Sequence, residues 1–324
     1  MRIGAGWTIA ALAGLAAAVG VVGSDVLWLV PLGSVVAHGH VPDAVPFATA
    51  PTHGWHDVPA AAQLLFWGLY HALGGVRGLV AAQVCAAAAG FGTLAAGIRR
   101  DAGTGAAIVV SLVVLAGSLP AVVIVNVSLW SLAFFPLLLA LVQAESRAPG
   151  RRIWLVVPLV LLWGNLHGGV LNGVALLACY LMLERARREP LVAGGVLAAS
   201  VAALFVNPEL WRTPLYYRAV FGSVLAREGS GLWTPLGTGG FDLVLVGCAL
   251  ALVALAARGR PRLWEAVAVI GLAVATVRMA RNGMPFLMLT AYPAARALRL
   301  APPRPRLLCA AAVVFTAAAA ALLV

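Results

Sequence analysis

Long apolar runs separated by short polar segments dominate this sequence. A helix needs about 20 predominantly apolar residues to cross a bilayer. The pattern therefore predicts an all-α polytopic membrane protein with about eleven transmembrane helices. The predicted spans cover residues 6–23, 77–97, 104–118, 120–143, 153–165, 168–184, 190–206, 241–257, 263–278, 283–298 and 307–324.

Two segments leave the number of spans open. Residues 58–73 are apolar, but they are short and are interrupted by Gln63 and His71, so we expect a helix along the membrane surface. Residues 153–184 are long for one helix and short for two, which favours two short helices that meet at an external turn. Polar backbone at that depth requires surrounding protein or a water-filled cavity, so we expect a cavity near His167.

The composition agrees with a membrane protein. Apolar residues make up 62% of the chain and charged residues only 10%, and the mean hydropathy is +0.98, whereas about a quarter of a soluble domain is charged. The net charge of +11 lies in short clusters between the apolar runs, as the positive-inside rule predicts. We therefore expect no nucleic-acid partner.

The basic clusters also predict the orientation of the chain. Every basic side chain is Arg, and this usage, with abundant Ala, Gly and Val, is typical of a high-GC bacterial genome. A cytoplasmic N-terminus puts sixteen of the 22 arginines in cytoplasmic segments. These are Arg2, Arg99, Arg100, Arg147, Arg151, Arg152, Arg185, Arg187, Arg188, Arg258, Arg260, Arg262, Arg296, Arg299, Arg304 and Arg306.

The predicted location is thus the bacterial plasma membrane, crossed many times by one transmembrane domain over residues 1–324. We expect no C-terminal soluble domain. The first external loop, residues 24–76, contains no Arg; if residues 58–73 spanned the membrane, this loop would be cytoplasmic. The first apolar run is expected to be a retained helix, and a cleaved signal peptide is the alternative. The cysteines share no CxxC spacing and are expected to have no disulfide or metal role.

In this orientation four polar motifs fall on the extracytoplasmic side. They are Asp25 with the loop after it, GNLHGG at 164–169, VNPELWR at 206–212 and RMARN at 278–282. External segments must contain some polar residues, so chance could produce this. Arginine on that side nevertheless opposes the positive-inside rule and indicates a partner.

Asp25 follows the first apolar run and could serve as a general base for an acceptor hydroxyl. A helix-end or turn residue is the alternative. Arg278 and Arg281 are three residues apart, so both can face one site and bind a phosphate; the alternative is contact with lipid headgroups. Asn282, before Gly283, suits a helix break that lines such a pocket.

Histidines and a glutamate complete the candidate set. His167 lies between Asn165 and a glycine pair and could contact phosphate or sugar, or be a structural histidine. Glu209 in NPELWR is a further carboxylate, although the motif first predicts a helix end at Asn207 and Pro208, anchored at the membrane interface by Trp211 and Arg212.

A metal site is a further alternative in the first external loop. An HxH and an HxxHD pattern supply imidazoles with an acid close by. The loop is rich in Gly and Pro and need not bring the two patterns together. Hydrogen bonding of His56 and Asp57 to phosphate or sugar is therefore favoured over a metal site, and a plain solvated loop is favoured over both. The residues of the two patterns are His38, His40, His53, His56 and Asp57.

The ordered set of motifs resembles the GT-C class of integral-membrane glycosyltransferases, and more closely a group of bacterial membrane proteins related to it. The resemblance covers roughly residues 20 to 300. It is carried by Asp25, Trp28, Gly33, Gly39, Val41, Pro42, Val45, Pro46, Phe47, Trp55, LGGVRGL from Leu73 to Leu79, NLHGG from Asn165 to Gly169, NPELWR from Asn207 to Arg212, and RMARN from Arg278 to Asn282.

The resemblance implies roles for some of these residues. Asp25 corresponds to the first-loop Asp that acts as base, and Arg278 or Arg281 to the residue that binds the donor phosphate. Residues 26–38 and 58–73 would be juxtamembrane helices of the first external loop. The chain differs from the relatives at two points. It has Leu29 where many of them have His, and it lacks a second acid near Asp25. Metal dependence therefore stays open.

These features predict an inverting glycosyltransferase. It would move a sugar from a polyprenyl-phosphate donor to an extracytoplasmic glycan, lipid or protein acceptor, among membrane lipids and without a cofactor. Asp25 would be the base, with Arg278, Arg281, Asn282, His167, Asn165, His56 and Asp57 in contact with substrate. A lipid or solute transporter, or a non-catalytic subunit of a cell-envelope complex, are the alternatives.

Overall fold

The structure of this protein, a computed structural model, describes residues 4–45, 47, 54–298 and 300. The predicted span 307–324 lies outside these residues. So do Arg2, Pro46, His53, Arg299, Arg304, Arg306 and Cys309.

Helices account for most of the described chain, and its only strands are two residues long, which confirms the predicted all-α class. The fourteen α-helices of the described residues are α1 Ala5–Ala18, α2 Val26–Ala37, α3 Ala60–Ala72, α4 Val76–Gly117, α5 Leu119–Val123, α6 Leu129–Arg147, α7 Val156–Gly164, α8 Val170–Leu183, α9 Pro190–Ala203, α10 Thr213–Phe221, α11 Val224–Glu228, α12 Gly240–Arg258, α13 Leu263–Arg278 and α14 Gly283–Arg296. Two-residue strands β1 Val21–Val22 and β2 Ile124–Val125 pair in parallel. Short 3-10 helices cover Arg151–Leu155, Arg185–Arg187, Leu210–Arg212, Gly231–Trp233 and Ala280–Asn282.

Three of the described helices are long and apolar enough to cross a membrane, namely α4, α6 and α12. Helices α1, α2 and α9 are apolar but shorter. The structure thus supports a helical protein with three membrane-spanning candidates, and the larger number of about eleven stays a prediction.

Helix α4 joins two of the predicted spans, 77–97 and 104–118, in one element of 42 residues. Its two halves meet at Gly103, which has φ 84° and ψ 173°. This positive φ is accessible to glycine and strained for other residues, so Gly103 supplies the change of direction between the halves.

The predicted span 120–143 is wrong at its start. Pro120 lies in the first turn of the short helix α5, and the chain then extends through β2 before α6 begins at Leu129. In contrast, the two helices predicted in residues 153–184 are present as α7 and α8, with a turn at residues 165–169. Helices are also present where the juxtamembrane segments 26–38 and 58–73 were predicted, as α2 and α3.

Small residues allow close packing of α1 against α4. Helix α1 lies along the first half of α4, and Ala13, Ala17 and Ala87 are fully buried in the main core cluster. A Cβ at Gly6 would lie 3.2 Å from the Gly92 carbonyl oxygen of α4. Close backbone approach of this kind is typical of helices packed in membranes.

One end of the bundle is held by buried ion pairs, and we call it the Arg-rich end. Fully buried Glu265 accepts hydrogen bonds from Arg296 Nη1 at 3.0 Å and Nη2 at 2.5 Å, and from Gln143 Nε2 at 2.8 Å. Arg147 pairs with Asp101. These contacts join α4, α6, α13 and α14, and they consist of residues that the sequence placed at cytoplasmic helix ends.

Candidate functional site

The other end of the bundle brings the first loop, the NLHGG turn, NPELWR and RMARN into one region. The residues that meet there form what we call the polar cluster. They are His56, Asp57, Gln63, Ser131, His167, Glu209, Tyr216 and Arg281.

Glu209 is held by the turn that precedes α10. Its backbone N–H donates to Asn207 Oδ1 at 2.8 Å, and Asn207 Nδ2 donates to the Leu204 carbonyl at 2.7 Å and to Thr213 Oγ1 at 2.8 Å. Leu210 has φ 45°, a left-handed conformation that is strained for a branched residue and that clusters at functional sites. The predicted helix end at Asn207 is late by a few residues, since α9 ends at Ala203.

The carboxylate of Glu209 binds two consecutive residues of the first loop. His56 Nδ1 lies 2.8 Å from Glu209 Oε2, and the Asp57 backbone N–H donates to Glu209 Oε1 at 3.3 Å. The His56 and Glu209 side chains are 24% and 15% exposed. Segments about 150 residues apart in sequence are thus joined at a position that water can reach.

Asp57 is fully buried beside this pair. Its Oδ1 accepts from Gln63 Nε2 at 2.8 Å, while its Oδ2 has no hydrogen-bond partner among the described residues. Burial raises the pKa of Asp57 to about 7; the Gln63 hydrogen bond opposes this and the nearby Glu209 charge adds to it. A carboxyl in such surroundings holds a proton near neutral pH.

His167 is fixed by Ser131 and Trp163. Trp163 Nε1 donates to Ser131 Oγ at 2.9 Å, and Ser131 Oγ lies 2.5 Å from His167 Nδ1. Since an indole N–H can only donate, the Ser131 proton is satisfied by donation to Nδ1, and His167 then carries its own proton on Nε2. A Cβ at Gly169 would lie 2.8 Å from Nδ1 and closer still to Ser131 Oγ, so this turn requires glycine there.

The imidazole of His167 is also kept neutral. Burial lowers its pKa to about 3, and the positive charge of Arg281 lowers it further. His167 therefore offers an N–H donor without a charge of its own. It does not line the cavity beside Arg281, and the cavity expected near His167 stays a prediction.

Arg281 lies at the junction of α13 and α14. Its guanidinium carbon is 4.2 Å from the centre of the Trp233 ring, a cation–π contact. Within the described part of the chain, Arg281 has no carboxylate partner within 4 Å. It lines a cavity of about 200 Å³ together with Ser118, Thr234, Asp242, Leu245 and Met284.

The other residues of RMARN have different environments. Asn282 is buried, accepts from Asn172 Nδ2 at 2.9 Å through Oδ1, and donates to the Ala275 carbonyl at 3.1 Å. It therefore holds α8 and α13 together, which is a structural role. Arg278 ends α13 with an exposed side chain, so the two arginines do not share one environment.

Asn165 also acts on the backbone. Its Nδ2 donates to the Leu161 carbonyl at 2.9 Å and to the Val206 carbonyl at 2.8 Å. These bonds tie the NLHGG turn to the segment before NPELWR. Asn165 is thus a positioning residue for the polar cluster.

Asp25 lies apart from these hydrogen bonds. It precedes α2, is half-buried, and accepts from the Val127 N–H at 3.2 Å through Oδ2. Burial raises its pKa, and the Val127 hydrogen bond opposes that effect. One turn later, Trp28 packs edge-on against Trp55, with ring centres 6.3 Å apart, which links this end of α2 to the residues before His56.

The metal alternative gains no support. His38 Nδ1 bonds to the carbonyl of Ser34 in its own helix at 2.7 Å, so it is turned to its own chain segment. Among residues 4–45, 47, 54–298 and 300, no three His, Cys, Asp or Glu side chains are grouped as metal ligands.

The sequence did not single out Ser131, Tyr216 or Trp233. Ser131 and Tyr216 lie in apolar or aromatic segments and Trp233 in a loop rich in Gly and Ser, where no spacing marks them as functional. Gln63 did give a signal, because a lone amide in the apolar segment 58–73 requires a buried partner.

Family models, curated proteins and solved structures were all compared with this chain, and none matches it.

Proposed function

We propose that this protein is a membrane glycosyltransferase that moves a sugar from a polyprenyl-phosphate donor to an acceptor hydroxyl on the extracytoplasmic face. The observation that carries the proposal is Arg281, a guanidinium without a carboxylate partner in the described structure, held over Trp233 at the edge of a cavity. It lies at the end of apolar helices, where a lipid-linked phosphate would be presented.

Arg281 would bind the donor phosphate through two parallel hydrogen bonds. The Nε2–H of His167 is a second donor on the same side of the cluster. Apolar Leu245 and Met284 line the cavity beside Arg281 and would contact the first units of the prenyl chain. Arg278 is exposed and would reach the phosphate only from the headgroup side.

The transfer itself requires one proton acceptor. The acceptor hydroxyl gives up its proton, its oxygen bonds to the anomeric carbon with inversion, and the bond from that carbon to the phosphate oxygen breaks with its electron pair on the phosphate. The resemblance implies Asp25 as the base. The enzyme would contribute mainly positioning and charge stabilisation.

The proposed setting is the bacterial plasma membrane, crossed by many helices, with the polar cluster on the extracytoplasmic side. The acceptor would be a glycan, lipid or protein of the envelope. Three described helices with the length and composition of membrane spans support a membrane location.

The test uses purified protein in lipid nanodiscs with a panel of radiolabelled polyprenyl-phosphate hexoses and pentoses, and an envelope extract as acceptor. Arg281→Ala should lower donor binding about 10- to 100-fold, because it removes a charge-assisted pair. Arg227→Ala, an exposed arginine on α11, is the matched control. If the wild type neither binds nor transfers any donor, the proposal is wrong, and flux or assembly assays would then examine the alternatives.

A second variant examines the base. Asp25→Asn keeps the size of the side chain and its ability to accept from Val127, but it cannot take a proton. A loss of about 100-fold or more in transfer with donor binding unchanged would establish Asp25 as the base. Transfer at the wild-type rate would exclude it.

A further inference from the structure

His56 and Glu209 form a hydrogen-bonded pair in which the donor and the acceptor can be assigned. A carboxylate oxygen only accepts hydrogen bonds, so the 2.8 Å contact places the proton of His56 on Nδ1, where it donates to Glu209 Oε2. The lone pair of a neutral imidazole is then on Nε2. His56 thus has a basic nitrogen directed away from its carboxylate partner.

The pair is built into the fold from two sides. Asn207 and Thr213 fix the segment that carries Glu209, and the second oxygen of Glu209 accepts from the Asp57 backbone N–H. With both carboxylate oxygens bonded to consecutive residues of the first loop, the His56 ring has a defined direction. A chance surface ion pair would lack these supports.

Its location suits a reaction with a bulky acceptor. The side chains remain 24% and 15% exposed, so a hydroxyl can reach His56. Tyr216 lies within electrostatic range of both Asp57, which adjoins the pair, and Arg281, so the pair and Arg281 belong to the same region.

We propose that Glu209 and His56 form a carboxylate–imidazole dyad that accepts the proton of the acceptor hydroxyl. This inference rests on the proposed sugar transfer and assigns its base to His56 in place of Asp25, the residue that the resemblance implies. His56 Nε2 takes the proton as the hydroxyl oxygen bonds to the anomeric carbon, and the electron pair of the breaking bond leaves with the polyprenyl phosphate. His56 is the catalytic residue, and Glu209 is a positioning residue that also stabilises the imidazolium.

The other carboxylates of this end are less suited to the same role. Asp57 is fully buried, so an acceptor cannot reach it. Asp25 uses one oxygen to hold the Val127 N–H and has no described hydrogen bond to the polar cluster. Unlike Asp25 and Asp57, the dyad combines solvent access with a basic nitrogen that faces away from its carboxylate partner.

The experiment measures transfer by His56→Ala in nanodiscs, without and with added imidazole. The substrate is the polyprenyl-phosphate sugar of the panel that the wild type consumes. His56→Ala should lower the transfer rate about 100-fold or more and leave donor binding within twofold. Added imidazole should restore transfer at least tenfold, because it fills the space of the missing ring; a structural defect would not respond. His38→Ala, in the same loop, is the matched control and should transfer at the wild-type rate.

Glu209→Gln examines the second member. It should lower the rate about tenfold or more at saturating donor, with donor binding unchanged, because the imidazolium loses its negative partner. Two results would overturn the dyad and leave the sugar transfer standing, provided that the wild type transfers sugar. One is an active His56→Ala variant. The other is an inactive His56→Ala variant whose transfer imidazole does not restore. Absence of any transfer by the wild type would instead overturn the proposed function, and the dyad with it.

Discussion

At the residue scale, the orientation of a polar side chain depends on a single hydrogen-bond partner. Ser131 is the example: it accepts from Trp163 and bonds to His167, so one hydroxyl orients an imidazole. The sequence indicated a functional His167 from its glycine neighbours, but it could not indicate Ser131. The contact joins residues of α6 and the NLHGG turn, and such pairing depends on packing, which no local pattern records.

Ser131→Ala should destabilise the protein by about 1–3 kcal/mol, because the Trp163 N–H and His167 Nδ1 lose their common partner in a buried place. The matched control is Ser111→Ala in α4, whose buried hydroxyl has no hydrogen-bond partner in the described structure. Its removal should be nearly neutral. The free energy of unfolding in mild detergent checks both; equal effects of the two changes would contradict the arrangement at His167.

Asp57→Asn should become more stable relative to the wild type as the pH rises. The pKa of Asp57 is raised from an ordinary value near 3.8 to about 7 in the fold, so the folded state holds a proton that the unfolded chain has lost. The Asp57 carboxyl therefore lowers the free energy of unfolding of the wild type as the pH rises from about 4 to 7. Asn has no ionisable proton at this position, so the variant does not lose this stability.

The measurement for Asp57 is the difference in thermal unfolding midpoint between variant and wild type, followed from pH 4 to pH 8. Asp43→Asn, an exposed acid of the same loop, is the control and should show a flat difference. A flat line for Asp57→Asn as well would mean that its carboxyl is not desolvated as the structure has it.

At the element scale, apolar runs and turn residues predicted most helices but not every join. The helix at 58–73 and the break within 153–184 followed from length and from polar interruptions, and the helix at 26–38 followed from the resemblance. The separation of the spans 77–97 and 104–118 also followed from the sequence, but the element continues as a helix up to the single non-helical residue Gly103. The start of α6 was missed since β2 is as apolar as a helix, and only its pairing with β1 reveals a strand.

Gly103→Ala should destabilise the protein by about 1–2 kcal/mol, because a Cβ is strained at φ 84° although no atom lies within 4 Å of it. Gly194→Ala is the matched control: this glycine is within α9, also with open space around it, and alanine should stabilise by up to about 1 kcal/mol. Chemical denaturation of the two variants measures the contrast. A stabilising Gly103→Ala would show that the two halves of α4 form one regular helix.

At the scale of the whole molecule, the two ends of the bundle differ in chemistry. Ion pairs close the Arg-rich end, whereas the other end has unpaired or half-paired groups around Arg281. The sequence predicted that four motifs would share one end, and residues of all four lie there, with His56 and Asp57 representing the first loop in the polar cluster. Asp25 itself makes no described hydrogen bond to the cluster and is linked to it through Trp28 and Trp55, a relation that no spacing in the sequence could distinguish from direct contact.

The proposed orientation predicts opposite accessibility at the two ends. In a variant with its native cysteines replaced by serine, a cysteine at position 43 should react with a membrane-impermeant maleimide in intact cells. A cysteine at position 100 should react only after the membrane is opened. The reverse pattern would place the polar cluster in the cytoplasm and exclude an extracytoplasmic acceptor.

The central claim is that the end of the bundle around Arg281 transfers a sugar from a polyprenyl-phosphate donor. The most direct measurement is transfer of label from that donor to envelope acceptor by the purified wild type, Arg281→Ala and Arg227→Ala, all shown to be folded by their unfolding midpoints. We predict transfer by the wild type and Arg227→Ala, and a loss of about tenfold or more in Arg281→Ala. Equal transfer by Arg281→Ala, or none by the wild type with any donor of the panel, would contradict the claim.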